Sequence, residues 1–201
     1  MMKVIGITGG VGAGKSQALQ YMQETWGAYV CYADNIGHML QQPGELCYKR
    51  IVDAFGVHIL DDTKQINRKK LAKIIFSDEE KRLALNAIMH PSIKERIRKL
   101  IQAENEKGTK HFLVEAALLI EDAYEQICEE VWYVYAPEDV RRERLKQTRG
   151  YTDEKIEQIF TSQLSDREYR EHCKVIIDNC EGVERMYEQI DALENSENET
   201  M

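Results

Sequence analysis

The first apolar run, Lys3-Val4-Ile5-Gly6-Ile7-Thr8, is short and rich in β-branched residues, and glycines at 9, 10, 12 and 14 stop it from continuing as a strand. From Lys15 the pattern turns helical, with Leu19, Met22 and Trp26 recurring on one face. The chain therefore opens strand, glycine loop, helix, and a second short strand is predicted over 28–32. Residues 35–104 are mostly helical in pattern. Ser77 with Glu80 predicts a capping box ahead of Leu83, Ala87 and Ile88. Pro91 is expected to end or kink that helix, because its ring clashes with the preceding turn. Ile93, Ile97, Leu100 and Ile101 mark the next helix, which stops near Gly108.

"HFLVEAALLI" begins as a strand, and "EVWYVYA" over 130–136 reads as a buried one. Pro137 suits the first turn of a helix running through several arginines to Gln147, and Gly150 breaks it. Thr152 predicts the cap of another helix, with Asp153 and Glu154 at its positive end. "KVIID" over 174–178 reads as a last strand and 183–193 as a last helix, followed by a polar tail over 195–201 that is expected to fray. Alternating strands and helices predict an α/β fold whose parallel sheet is covered on both faces. The segments 35–104 and 138–172 are helical excursions from that sheet.

Composition narrows the partners. The chain has 201 residues, enough for one compact domain or one with a large insertion. A formal net charge of -8 makes nucleic acid a poor partner, since phosphate neutralisation needs clustered Lys and Arg. No apolar run is long enough to cross a membrane, and the start has no signal-peptide pattern. Cys31, Cys47, Cys128, Cys173 and Cys180 form no CxxC pair, which favours free thiols in a reducing, cytoplasmic setting.

The chemistry is concentrated at Gly9-Gly10-Val11-Gly12-Ala13-Gly14-Lys15-Ser16, a full G-x-x-x-x-G-K-[ST] placed after a predicted strand and before a predicted helix. Glycines let backbone N–H groups turn inward around β-phosphate oxygens, and the following helix adds its partial positive charge. Lys15 reaches the β- and γ-phosphates, Ser16 offers a hydroxyl to Mg²⁺, and the Gln17 amide can donate to a phosphate oxygen.

Three classes use such a loop. The chain lacks the N-K-x-D of a GTPase, and "DNIG" at 34–37 comes too early to be the D-x-x-G of a switch. A motor ATPase would show further coupling motifs and greater length. A small-molecule kinase needs an acceptor site and an arginine-rich lid, and there are candidates for both. Asp34, at the end of the second predicted strand, is either a general base for a substrate hydroxyl or a helix N-cap. Glu115, ending the third strand, can hold Mg²⁺ through water or simply be a solvated strand end. Arg141, Arg142, Arg144, Lys146 and Arg149 are either lid cations that neutralise a transferring phosphoryl group or a solvated helix face.

Together these stretches resemble the dephospho-CoA kinase family. The resemblance is carried by "GITGGVGAGKS", "YADNIGHML", and the series Arg68, Leu71, Phe76, Leu85, Ile88, His90, Pro91. "EAALLIE", "RLKQTRGYTDEKIEQIFTSQ" and "VIIDN" complete it. The matches are ordered and cover about residues 3–182. Tyr32, Ala117 and the five-residue spacing of Arg144 and Arg149 depart from the family pattern. The resemblance implies a P-loop kinase core with a five-stranded parallel sheet, built from 1–34, 110–137 and 173–194. It also implies a helical CoA-binding domain over 35–109 and a lid over 138–172. The implied reaction is ATP-dependent phosphorylation of the ribose 3′-hydroxyl of dephospho-CoA. Asp34 would be the base, and Lys15, Ser16 with Mg²⁺, and Arg144 or Arg149 would stabilise transferring charge. Arg68, His90 and Pro91 would line the acceptor side, and Asn179 would lie near the adenine. The alternatives are another P-loop nucleoside or nucleotide kinase, or a nucleotide-dependent binding protein without transfer chemistry.

Overall fold

β1 (Lys3–Thr8) is buried from Val4 onward, as befits a strand flanked on both sides and covered on both faces. In register it pairs in parallel with β3 (His111–Glu115), Ile7 opposite Glu115, and with β4 (Glu130–Tyr135), Thr8 opposite Tyr133. With β2 (Tyr29–Tyr32) and β5 (Val175–Asp178) these form a five-stranded sheet of order β2-β3-β1-β4-β5. The chain leaves β1 at the point where the strand order reverses, and its C-terminal end opens onto the crevice where such sheets bind ligands. The architecture is that of an α/β fold, a parallel sheet flanked by helices.

The computed structural model describes residues 2–198. Two compact units emerge, one reaching to Cys31 and resuming at Glu104, the other Tyr32–Ala103. In the first, α1 (Lys15–Trp26) and α9 (Val183–Asn198) bury Leu19, Met22, Met186 and Ile190 with Ile5, Ile7, Trp132 and Val134 of the sheet. Tyr21 stacks on Tyr187 at 3.9 Å, and its hydroxyl donates to the Asp191 carboxylate at 2.9 Å. Three further helices follow β4: α6 (Glu138–Arg149), α7 (Asp153–Thr161) and α8 (Asp166–His172). Thr152 caps α7 as expected, its hydroxyl accepting from Lys155 N.

The second unit contains α2 (Ala33–Leu40), α3 (Leu46–Phe55), α4 (Arg68–Ser77) and most of α5 (Glu79–Glu106). It buries Ile36, Leu40, Ile51, Phe55, Ile59, Leu71, Met89 and Ile97. All five cysteines are free thiols.

Some local expectations are corrected. Pro91 neither ends nor separates helices: α5 runs through it unbroken. Pro91 and Ala87 are both exposed, so water can reach the Ala87 carbonyl that the missing N–H leaves free. Ser77 is not the cap of α5. It is the last residue of α4, its hydroxyl donating back to Lys73 O and Ile74 O, while the extended Asp78 accepts from Lys81 N and caps α5. The helix expected over 183–193 continues to Asn198, carried by helix-favouring Glu residues, so 195–198 of the expected tail are helical. Residues 199–201 lie outside the described residues.

Candidate active site

The phosphate loop spans Gly9 to Ser16, with α1 starting at Lys15. Gly14 stands at the N-cap in the left-handed region, φ 103°, and no side chain caps the helix, an end that suits an anion. Gly9 and Gly12 also have positive φ, 144° and 86°. Gly10 does not: an added Cβ would lie 2.1 Å from a nitrogen of the Arg141 guanidinium, so that side chain would have to shift to admit it.

Lys15 donates to Gly9 O at 2.5 Å and Gly10 O at 3.4 Å. Loop carbonyls are weaker acceptors than a phosphate oxyanion, so the ammonium can move from one to the other. Burial lowers the Lys15 pKa. Glu115 opposes that shift, and Arg141 and Arg149 add to it by repulsion. Lys15 thus stands in a field of one carboxylate and two guanidinium groups. Ser16 and Gln17 are exposed in the first turn of α1.

Asn179, fully buried just after β5, ties the loop to the rest of the unit. Its amide donates to Ala13 O at 2.8 Å, and Arg144 donates to Asn179 O at 2.9 Å. Arg144 therefore holds the segment that follows β5, with a second guanidinium nitrogen buried and unbonded. Arg149 is exposed, 5.9 Å from the Tyr151 ring.

Asp34, Arg68, His90 and Pro91 belong to the helical unit. β2 ends at Tyr32, and Tyr32 is the N-cap of α2, so Asp34 is neither the strand end nor the cap. It is exposed in the first turn of α2, where the helix dipole favours a carboxylate. Arg68 opens α4 and lines a cleft of about 540 Å³ with Gln41, Gln42, Asp61 and Asn67. His90 and Pro91 lie in mid-α5 and do not line that cleft.

Gln163 had no assigned role in the sequence, and Arg141 was only one of five candidate lid cations. Gln163 Oε1 accepts from Val11 N at 3.2 Å and from Arg141 at 3.4 Å, and Arg141 stacks on Phe160 with its guanidinium carbon 4.3 Å from the ring centroid. The available signal was helical phase: Leu145 is the buried position of α6, and Arg141, one turn earlier on the same face, is carried inward with it.

The family model for dephospho-CoA kinases matches residues 3–184. The chain belongs to the dephospho-CoA kinase family. A dephospho-CoA kinase of Aquifex aeolicus is 37% identical over 189 residues, covering 94% of each chain. One from Carboxydothermus hydrogenoformans is 34% identical over 190 residues, 94% of this chain and 92% of the relative. The fold is also that of the solved dephospho-CoA kinase from Campylobacter jejuni, with a TM-score of 0.74 over the whole of both chains at 24% identity. As a member of the dephospho-CoA kinase family, the protein is a kinase on the P-loop scaffold.

Proposed function

We propose that the protein transfers the γ-phosphoryl group of ATP to the ribose 3′-hydroxyl of dephospho-CoA, giving coenzyme A and ADP, the last step of coenzyme A synthesis in the cytoplasm. The observation that carries this reading is a complete phosphate loop opening α1 in a chain of this family. Lys15 and the loop N–H groups hold the β- and γ-phosphates. Asn179 lies by the adenine. Asp34 accepts the hydroxyl proton as the 3′-oxygen attacks, and Arg144 or Arg149 neutralises charge on the group in transfer.

Arg68, His90 and Pro91 serve the acceptor side, within a CoA-binding domain over 35–109. The segment 138–172 acts as a lid that excludes water from the core of 1–34, 110–137 and 173–194. The donor set also fits Mg²⁺, a hard cation served by oxygen: the Ser16 hydroxyl is exposed in the first turn of α1, and Glu115 ends the neighbouring strand. Bound there, Mg²⁺ would neutralise β,γ-phosphate charge.

Coupled ADP release from purified protein tests the reading, with dephospho-CoA, nucleosides and nucleoside monophosphates as acceptors. Dephospho-CoA should give the highest kcat/KM. A nucleoside or nucleotide that outpaces it would assign the protein to another kinase specificity, and ATP binding without any turnover would make it a binding protein.

A further inference from the structure

Arg141 is a cation without a strong partner. Its side chain is 13% exposed, yet its carboxylate neighbour, Glu138, stands 3.7 Å away and is itself 70% exposed. Its remaining hydrogen bond goes to a neutral amide oxygen, that of Gln163, at a long 3.4 Å. Both contacts are weak, and a half-buried guanidinium gains far more from a phosphate oxyanion.

Its position is fixed nonetheless. The guanidinium lies over the Phe160 ring, an arrangement that holds the plane while leaving the N–H edges available to in-plane acceptors. Gln163 braces it from the side, and Gln163 is itself anchored by the Val11 N–H of the phosphate loop. On the loop side the group rests on Gly10. No positive φ requires glycine there, so the absent side chain serves to admit the arginine: a Cβ would lie 2.1 Å from one guanidinium nitrogen and 2.8 Å from its carbon. Arg141 also lines a cleft of about 390 Å³ whose walls include Phe160, Gln163 and the carboxylates of Glu138, Asp166 and Glu168.

We propose that Arg141 is a catalytic arginine of this kinase, held over Gly10 by Phe160 and Gln163 so that its N–H groups bind the γ-phosphoryl group during transfer. Gln163 is then a positioning residue. The inference deepens the ATP-dependent reading above and rests on it for the identity of the donor. In the transfer, the bond from the γ-phosphorus to the β,γ-bridging oxygen breaks and its electron pair leaves with ADP. The new bond forms to the 3′-oxygen, whose proton passes to the Asp34 carboxylate. Arg141 gives and takes no proton; it stabilises charge that grows on the equatorial oxygens.

The test compares Arg141→Gln, Gly10→Ala and the double variant with the unaltered protein. It uses two readouts: steady-state turnover, and the affinities for ADP and for the non-hydrolysable analogue AMP-PNP by calorimetry. Arg141→Gln should lower kcat by about 10²–10³-fold, the scale of losing one preorganised donor. ADP affinity should stay within about threefold, because ADP lacks the group Arg141 binds, while AMP-PNP should lose its advantage over ADP. Gly10→Ala should lower kcat through displacement of the arginine, and adding it to Arg141→Gln should cost little more. Gln163→Leu should lower kcat less than Arg141→Gln.

Turnover within about threefold of the original in Arg141→Gln would overturn the proposal. So would ADP and AMP-PNP affinities falling together, or single effects that multiply in the double variant. Loss of AMP-PNP discrimination in Arg141→Gln, in a protein that does not phosphorylate dephospho-CoA, would leave Arg141 as the γ-phosphate ligand and refute the acceptor assignment alone.

Discussion

Gly14→Ala probes the junction on which the phosphate loop depends. Gly14 has φ 103°, and a Cβ there would meet Asn179 Nδ2 at 2.2 Å. A left-handed conformation costs a non-glycine residue about 1–2 kcal/mol. The clash adds a second cost. Asn179 is fully buried and its amide donates to Ala13 O, so pushing it aside leaves a buried polar group unsatisfied, about 1–3 kcal/mol more. The expected loss is therefore about 2–5 kcal/mol. Gly27→Ala supplies the control. It too is left-handed, φ 63°, at the C-cap of α1, but nothing lies within 4 Å of its Cβ position, so only the backbone cost of about 1–2 kcal/mol applies. Urea titration followed by tryptophan fluorescence reads both, because Trp26 and Trp132 lie in the core of the same unit. The difference between the variants measures the Asn179 contact. Equal losses would refute the claim that Asn179 pins the loop.

Three further outcomes follow from local chemistry. Burial alone would raise the Glu130 carboxyl, but hydrogen bonds from Lys174, Trp132 and Lys3 outweigh it and hold the pKa at about 2, against an ordinary 4.5. A depressed folded-state pKa stabilises the protein above about 4.5, and the contribution is lost as pH falls towards about 2. Glu130→Gln should therefore flatten the stability profile between those values, as read by thermal melts at stepped pH. Pro91→Ala should stabilise the helical unit by about 2 kcal/mol, the helix-interior penalty of proline less its benefit in the unfolded chain, measured by urea titration followed by circular dichroism. Asp34→Asn should lower turnover by about 10²-fold or more while leaving ATP affinity unchanged and lowering the melting temperature only slightly, since Asp34 is exposed, caps nothing and loses only its favourable place at the helix dipole; unchanged turnover would remove it as the base.

The sequence made the phosphate loop legible because its spacing is a backbone requirement, and the glycines at 9, 12 and 14 do take the left-handed conformations that spacing implies. It made the sheet legible because parallel strands buried on both faces read as continuous apolar runs. Helix ends were less legible. Ser77 and Asp78 both offer a capping oxygen, and only the backbone decides: Ser77 is still helical, while Asp78 is extended. Pro91 read as a break because the rule concerns a lost hydrogen bond, and pattern alone does not show that Ala87 faces water. In the site, the arginines of α6 read as one cluster, yet their partners divide them. Arg144 holds Asn179, Arg142 pairs with Glu157 at 2.8 Å, and Arg141 turns to Gly10. Those partners are remote in sequence, and no local spacing encodes them.

Purified protein incubated with ATP, Mg²⁺ and dephospho-CoA should convert the acceptor to coenzyme A with one ADP formed per coenzyme A, and ³¹P NMR should show a new monoester resonance at the ribose 3′ position. Phosphate appearing at another position, or ATP consumed with the acceptor unchanged, would rule out 3′-phosphorylation of dephospho-CoA.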